Sequence, residues 1–272
     1  MTADSDPSPH VAAPQTPKGQ VSAWRTIGAL VLREMSTRYG RQPGGYVWAI
    51  AEPLAFILIM TVAFSLLLRS PSLGNSFVLF YATGYLPFQM YQSVSQNVSR
   101  AINFSRPLLS YPSVTWVDAI AARFLLATLT TALVSYIILA GILAVIETRV
   151  VLEAGPILAS MGLAALLGLG VGTFNCLVMG LFPTYDLVWS ILTRPLFIAS
   201  GIFYIYEDLP ETAQQILWWN PLLHISGHMR SGFFPMYDPE YVSLLYVGIF
   251  TLTPMSLGLL LLRRYNKDIL LR

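Results

Sequence analysis

The chain has 272 residues, 55% of them hydrophobic and 11% charged, with a formal net charge of +2. A soluble domain carries about 25% charged residues, so this deficit and a mean hydropathy of +0.60 exclude an ordinary soluble enzyme and point to an all-α polytopic membrane protein. The small cationic excess gives no ground for a nucleic-acid partner. The one cysteine, Cys176 inside an apolar run, rules out an intrachain disulfide and reads as a buried structural thiol.

In chain order, residues 1–20 are rich in Pro, Ser, Thr and Ala and are expected to form a disordered tail. Asp4 and Asp6 within it read as solvated charge rather than a metal pair. Residues 21–42 predict an amphipathic helix, with Val21, Trp24, Gly28, Val31, Met35 and Tyr39 recurring at three- and four-residue spacing. Arg25, Arg33, Glu34 and Arg38 lie off that face, and Glu34 and Arg38 can pair at i, i+4. Such a helix lies in the membrane interface with its apolar side toward the acyl chains. Pro43-Gly44-Gly45 ends it.

A span needs about 20 mainly apolar residues. Six segments qualify: Tyr46–Leu68, Phe77–Val98, Trp116–Ile146, Pro156–Phe182, Leu187–Tyr206 and Tyr241–Leu262. The second is thinned by Gln89, Gln92, Ser93, Ser95 and Gln96, and polar residues in a span face protein or a wet path. Glu52-Pro53 in the first span, Asp118 and Arg123 in the third and Arg194-Pro195 in the fifth raise the same question. They read either as pairs fixing helix register or as a polar lining for an anionic or sugar substrate. Ala164, Gly168 and Gly172 at four-residue spacing predict close helix approach in the fourth span.

Cations cluster in the loops of one side: Lys18, Arg25, Arg33, Arg38 and Arg41 before the first span, Arg100 and Arg106 after the second, and Arg263, Arg264, Lys267 and Arg272 after the sixth. The positive-inside rule puts both termini in the cytoplasm, residues 267–272 forming a short tail there. Residues 207–240 are too polar to span. They predict two short helices, 210–219 and 222–233, flanking Asn220-Pro221 as a re-entrant outer-face hairpin with Trp218 and Trp219 at headgroup level.

His224 and His228 at i, i+4 lack a nearby third ligand, so no metal is expected. Ser200 with either histidine could be imagined as a hydrolase pair in a lipid- or glycan-modifying enzyme, but that spacing alone carries no information. The only lysines are Lys18 and Lys267, and no G-x-x-x-x-G-K-[ST] loop exists, so the chain cannot be a P-loop ATPase by itself. No cofactor is implied.

Three groups of residues resemble a known family. The first is Arg38-Tyr39-Gly40-Arg41 with Gly45-Tyr46-Val47-Trp48 and Glu52-Pro53-Leu54. The second is Arg106-Pro107-Leu108-Leu109-Ser110-Tyr111-Pro112, then Asp118 and Ala122-Arg123-Phe124. The third is Ser200-Gly201-Ile202-Phe203-Tyr204, Asn220-Pro221-Leu222-Leu223-His224 and Arg230-Ser231-Gly232-Phe233-Phe234. Their order across residues 24–266 resembles the membrane subunits of ABC-2 type exporters, above all the bacterial capsular-polysaccharide permeases, relatives of the O-antigen and teichoic-acid permeases. Capsule-type relatives often carry a glutamate where this chain has Gly227, which weakens a charge-pair role for Arg230.

The resemblance implies an inner-membrane transmembrane domain over residues 43–266, two copies of which form a pore. Each copy would dock a separate ATP-binding subunit, and a periplasmic co-polymerase or adaptor is a further possible partner. Residues 100–113, with Arg100, Asn103, Arg106, Leu108, Leu109, Tyr111 and Pro112, would be the coupling loop seated on the ATPase. Arg38 and Arg41 would attract an anionic glycolipid head. Tyr46, Trp48, Glu52, Tyr81, Tyr85, Tyr91 and Arg194 would line the substrate path along the first, second and fifth spans. Trp218, Trp219, Asn220, Pro221, His224 and Arg230 would form an outer gate. O-antigen, teichoic acid or a small lipophilic compound are the alternative cargoes.

Overall fold

The computed structural model describes residues 23–39, 44–109, 114–146 and 152–271. The expected tail at 1–20, Arg41, Tyr111 and Pro112, and the side chains of Arg38 and Tyr46, lie outside what is described. The fold is all-helical among the described residues. In order the helices are α1 (Ala23–Tyr39), α2 (Gly45–Leu67), α3 (Phe77–Ser99), α4 (Ala101–Leu109), α5 (Trp116–Val145), α6 (Ala154–Leu181), α7 (Tyr185–Ala199), α8 (Glu211–Leu217), α9 (Pro221–Ser231) and α10 (Leu244–Leu271). A single 3-10 turn, Tyr206–Asp208, precedes α8.

Among the described residues four helices are long and apolar enough to cross a membrane: within α2, α5, α6 and α10. The chain is therefore a multi-pass membrane protein. The expected second span forms as α3, but its amides and hydroxyls keep it out of that set. The expected fifth span is shorter than anticipated. Helix α7 stops at Ala199 because Gly201, at φ +71°, turns the chain left-handed, and Ile202–Ile205 follow as irregular chain with Ile202 buried. A side chain at 201 would also strike Leu223 Cδ1 at 2.6 Å. At the other extreme, α10 runs on through Arg263, Arg264 and Lys267 to Leu271.

Helix α3 is the axis of the bundle, packed on α6, α5, α9 and α2. Its contact with α6 is made at backbone range: a Cβ on Gly168 would sit 2.8 Å from the Tyr91 carbonyl oxygen, and one on Gly172 2.9 Å from that of Ser95. The small-residue stripe thus does what its spacing predicts. Ala164 and Cys176 are buried in the same seam. Helix α10 closes the other side of α6. By contrast α7 contributes no buried side chain, and Leu66, Leu67, Leu187 and Ile191 are each more than 60% exposed.

Candidate functional site

The polar face of α3 opens onto two cavities. The first, of about 760 Å³, runs between α2, α3 and α7. Gln92, Gln96 and Ser99 of α3, Arg100 that caps its end, and Asp186, Ser190, Thr193 and Arg194 of α7 supply its polar wall, and Met60, Phe64, Phe88 and Phe197 its apolar one. At one end Arg100 and Asp186 meet at 3.3 Å, each side chain half exposed. Further along, Arg194 is exposed to the cavity and has no hydrogen-bond or ion-pair partner among the described residues.

The opposite end is stopped by aromatic rings. Phe203 packs on Phe197 (5.4 Å between centroids) and Phe64 (5.7 Å), and Phe197 meets Phe88 edge-on at 5.1 Å. Tyr85 stacks on Phe56 at 4.3 Å, and Tyr81 lies beside Phe64. Of the aromatics expected to meet sugar, Tyr81 and Tyr91 are buried, Tyr85 is half-buried in this cluster and Trp48 is exposed on α2. Sequence reasoning missed Phe203, Phe197, Asp186, Gln92 and Gln96 as wall residues. The thinning of the second span by glutamines was the available signal for the last two.

Phe203 is held from behind. Arg230 of α9, 1% exposed, donates from Nη1 to the Tyr204 carbonyl (2.8 Å) and from Nη2 to the Ile202 carbonyl (3.1 Å), while its guanidinium lies 4.2 Å over the Phe80 ring. The two carbonyls flank Phe203, so the buried cation fixes the segment that carries the stopper. Gly84 makes the room, since a Cβ there would lie 2.9 Å from Arg230 Nη2. Gly227 abuts Tyr241. Arg230 accordingly works through backbone carbonyls rather than a carboxylate on its own helix.

The rest of the predicted hairpin is a bonded cap. Asn220 caps α9 through Leu222 N–H and donates to Ala199 O at 2.8 Å, tying α9 to the end of α7. His224 accepts from Ser243 N–H at Nδ1 and meets Trp218 O at Nε2, 2.7 Å away, which selects the neutral Nε2–H tautomer. Both ring nitrogens are therefore engaged. Ser200 Oγ donates to Leu196 O, and Ser226 donates to Ser200 O. No serine–histidine pair forms, and no group of three potential metal ligands exists among the described residues. Trp219 is exposed, whereas Trp218 packs on Tyr246 at 5.0 Å.

At the Arg100 end, α4 buries Ala101, Ile102 and Ser105 and leaves Asn103, Phe104 and Pro107 exposed, with Leu108 and Leu109 half-buried. Arg106 donates to Asn103 Oδ1 and to Ile269 O of α10. Arg123 and Asp118 do not pair with each other as register-fixing partners. Asp118 forms a capping box with Thr115. Arg123 instead meets Glu34 of α1 at 2.5 Å, donates to Asn97 O of α3 and lies 4.7 Å over Phe104 of α4. One buried cation thus links four helices, its own α5 with α1, α3 and α4. Helix α1 packs on α5 by this route, while Trp24 and Met35 of its predicted apolar face point outward.

The second cavity, of about 330 Å³, lies between α2, α3 and α5. Glu52, Gln89, Gln92, Ser93, Gln96, Asn97, Thr130 and Thr131 line it.

Comparison with known proteins was consistent across the chain. Residues 25–234 match the family described as ABC-2 type transporter. The polysialic acid transport protein KpsM of Escherichia coli is 33% identical over 245 residues, covering 90% of this chain and 95% of that protein. The capsule polysaccharide export inner-membrane protein CtrC of Neisseria meningitidis is 28% identical, covering 90% and 92%. BexB of Haemophilus influenzae, another capsule polysaccharide export inner-membrane protein, is 26% identical over the same shares.

Proposed function

The chain belongs to the ABC-2 type transporter family, and from that premise we propose that it is the inner-membrane permease of a capsular-polysaccharide exporter, driven by a separate ATP-binding subunit. The observation that carries this reading is the cavity between α2, α3 and α7: amphipathic along its length, with Arg194 unpaired at its wall and aromatic rings across one end. Arg194 offers a charge to an acidic glycan, the glutamines offer amides to hydroxyls, and the rings offer faces to pyranose C–H groups.

In this reading α3 and α7 join the four long apolar helices as spans, giving six, with both termini cytoplasmic as the loop cations require. Helix α3, at 23 residues, is about 34 Å long, enough for the hydrocarbon core. Helix α7, at 15 residues, reaches about 22 Å, and the irregular segment 200–205 fills the remainder. The α8–α9 pair is then a re-entrant outer hairpin. Two copies meet along the exposed faces of α2 and α7, each presenting one cavity to a shared path. Helix α4 seats on the ATPase through Phe104, Leu108 and Leu109, and closure of the ATPase pulls α1 and α4 together through Arg123. Arg38 and Arg41 draw the anionic end of the cargo to the entrance. Trp218, Asn220, His224 and Arg230 hold the gate that Phe203 closes.

The test is reconstitution in vesicles with the ATP-binding partner, following protection of polysaccharide inside. Uptake is expected only with the partner and hydrolysable ATP. Equal uptake with a hydrolysis-dead partner overturns the reading.

A further inference from the structure

We infer that the cavity between α2, α3 and α5 is a binding site for the sugar headgroup of a membrane glycolipid, with Glu52 and Gln92 among its principal hydrogen-bonding groups. The inference rests on the export reading in taking that glycolipid to be cargo, but its evidence is separate.

The cavity is chemically incomplete. Glu52, exposed where it lines the cavity, has no cation and no hydrogen-bond donor among the described residues, and Gln89 Oε1 is a buried acceptor without a partner there. A buried acceptor is ordinarily paired with protein or ordered water, and a carboxylate within a span faces protein or a wet path, so both are open to a ligand. Ser93 and Thr131 bond to each other across the wall at 3.2 Å and keep α3 and α5 in place. Among the described residues no Lys, Arg or His lines the space. A phosphate would find a carboxylate there and no countercharge from these walls. Hydroxyl groups would find a carboxylate that accepts and amides that both donate and accept. The chemistry therefore selects a polyol over an anion. The volume sits at the lower end of small-molecule pockets, near 300 Å³, which is room for a sugar unit.

Position supplies the second half. Asn97, whose carbonyl accepts from Arg123, lines the cavity, and Thr130 and Thr131 stand two turns beyond Arg123 on α5. Arg123 is bound to Glu34 of α1. The cavity thus begins at the level of α1 and extends into the bundle. Trp48, Leu129 and Leu133 on its flanking helices are about 60% exposed or more, an apolar surround. A ligand with a hydroxyl-rich head and an acyl tail satisfies both surfaces at once. Gln92 and Gln96 line this cavity and the larger one alike, so a head held by Glu52 lies beside the wall of the export path.

The full chain would be placed in nanodiscs of phosphatidylethanolamine and phosphatidylglycerol containing a small fraction of glucosyl-diacylglycerol, and retained lipids counted by native mass spectrometry. The glucosyl lipid is expected to be enriched about tenfold over phosphatidylglycerol, as lost hydrogen bonds to a charged group would imply. Glu52→Leu should abolish the enrichment. Ala49→Phe, which fills the cavity without removing a polar group, should do the same. An excess of soluble maltose should not displace the lipid, and displacement would overturn the membrane source. Equal retention of the two lipids by the unaltered chain overturns the site whatever the variants do. That failure would leave the export reading intact, because vesicle uptake with the ATP-binding partner is measured independently.

Discussion

Arg230 is the side chain on which the stoppered end of the large cavity depends. Replacing it with Met strands the Ile202 and Tyr204 carbonyls in a buried place, which should cost about 2–4 kcal/mol, read as a lower unfolding temperature in detergent. Phe203→Ala is expected to leave stability within about 1–2 kcal/mol, since Phe203 is only half-buried, yet to let small solutes leak through vesicles. Leak without unfolding would separate the stopper from the support behind it. His224 gives a pH signature. Burial holds its imidazole below the ordinary value near 6.5. As pH falls through about 6.5 the unfolded chain takes up a proton and the folded ring does not, so stability declines across that window and levels off once the folded ring titrates. His228 shifts in the same direction, so His224→Gln should flatten the decline only in part. These roles were partly legible. Arg230 and His224 stood out in the sequence as polar residues among apolar ones, but their partners are backbone carbonyls and amides, which no residue pattern displays.

Helix limits were readable wherever apolar length decided them: the starts of α3 and α5 fell at Phe77 and Trp116 as expected. The end of α7 was not, because it depends on Gly201 adopting positive φ against Leu223. The bond between Glu34 and Arg123 spans 89 residues, beyond any local periodicity, so its partner in α1 was not visible in the pattern around Arg123. That bond predicts a charge-swap result. Arg123→Glu should uncouple ATP hydrolysis from transport and cost roughly 3 kcal/mol of stability. The double variant Arg123→Glu with Glu34→Arg should recover a large part of both. Recovery of stability without recovery of coupling would reduce the contact to packing.

For the whole molecule, α2 and α7 both present exposed apolar rows, Leu66 and Leu67 on one and Leu187 and Ile191 on the other, and the proposed pairing of two copies would use them. With Cys176 changed to Ala, single cysteines at Leu187 or Ile191 should give oxidised dimers in native membranes, while one at Leu252 of α10, exposed on the other flank, should not. Dimers at all three would signal random collision.

The backbone contact between α3 and α6 has a mechanical consequence. Where Gly168 and Gly172 lie against the Tyr91 and Ser95 carbonyls and the Val94 and Val98 side chains, and Gly170 against the Thr251 carbonyl of α10, the helices cannot slide without collision, so α3, α6 and α10 form one stiff member. Helix α7, with no buried side chain to withdraw, is the compliant one. If the cavity between α2, α3 and α7 is the proposed export path, compliance on one side of a stiff wall would let it widen around a thick chain and narrow behind it, so cargo size would be set by how far α7 yields rather than by a fixed bore.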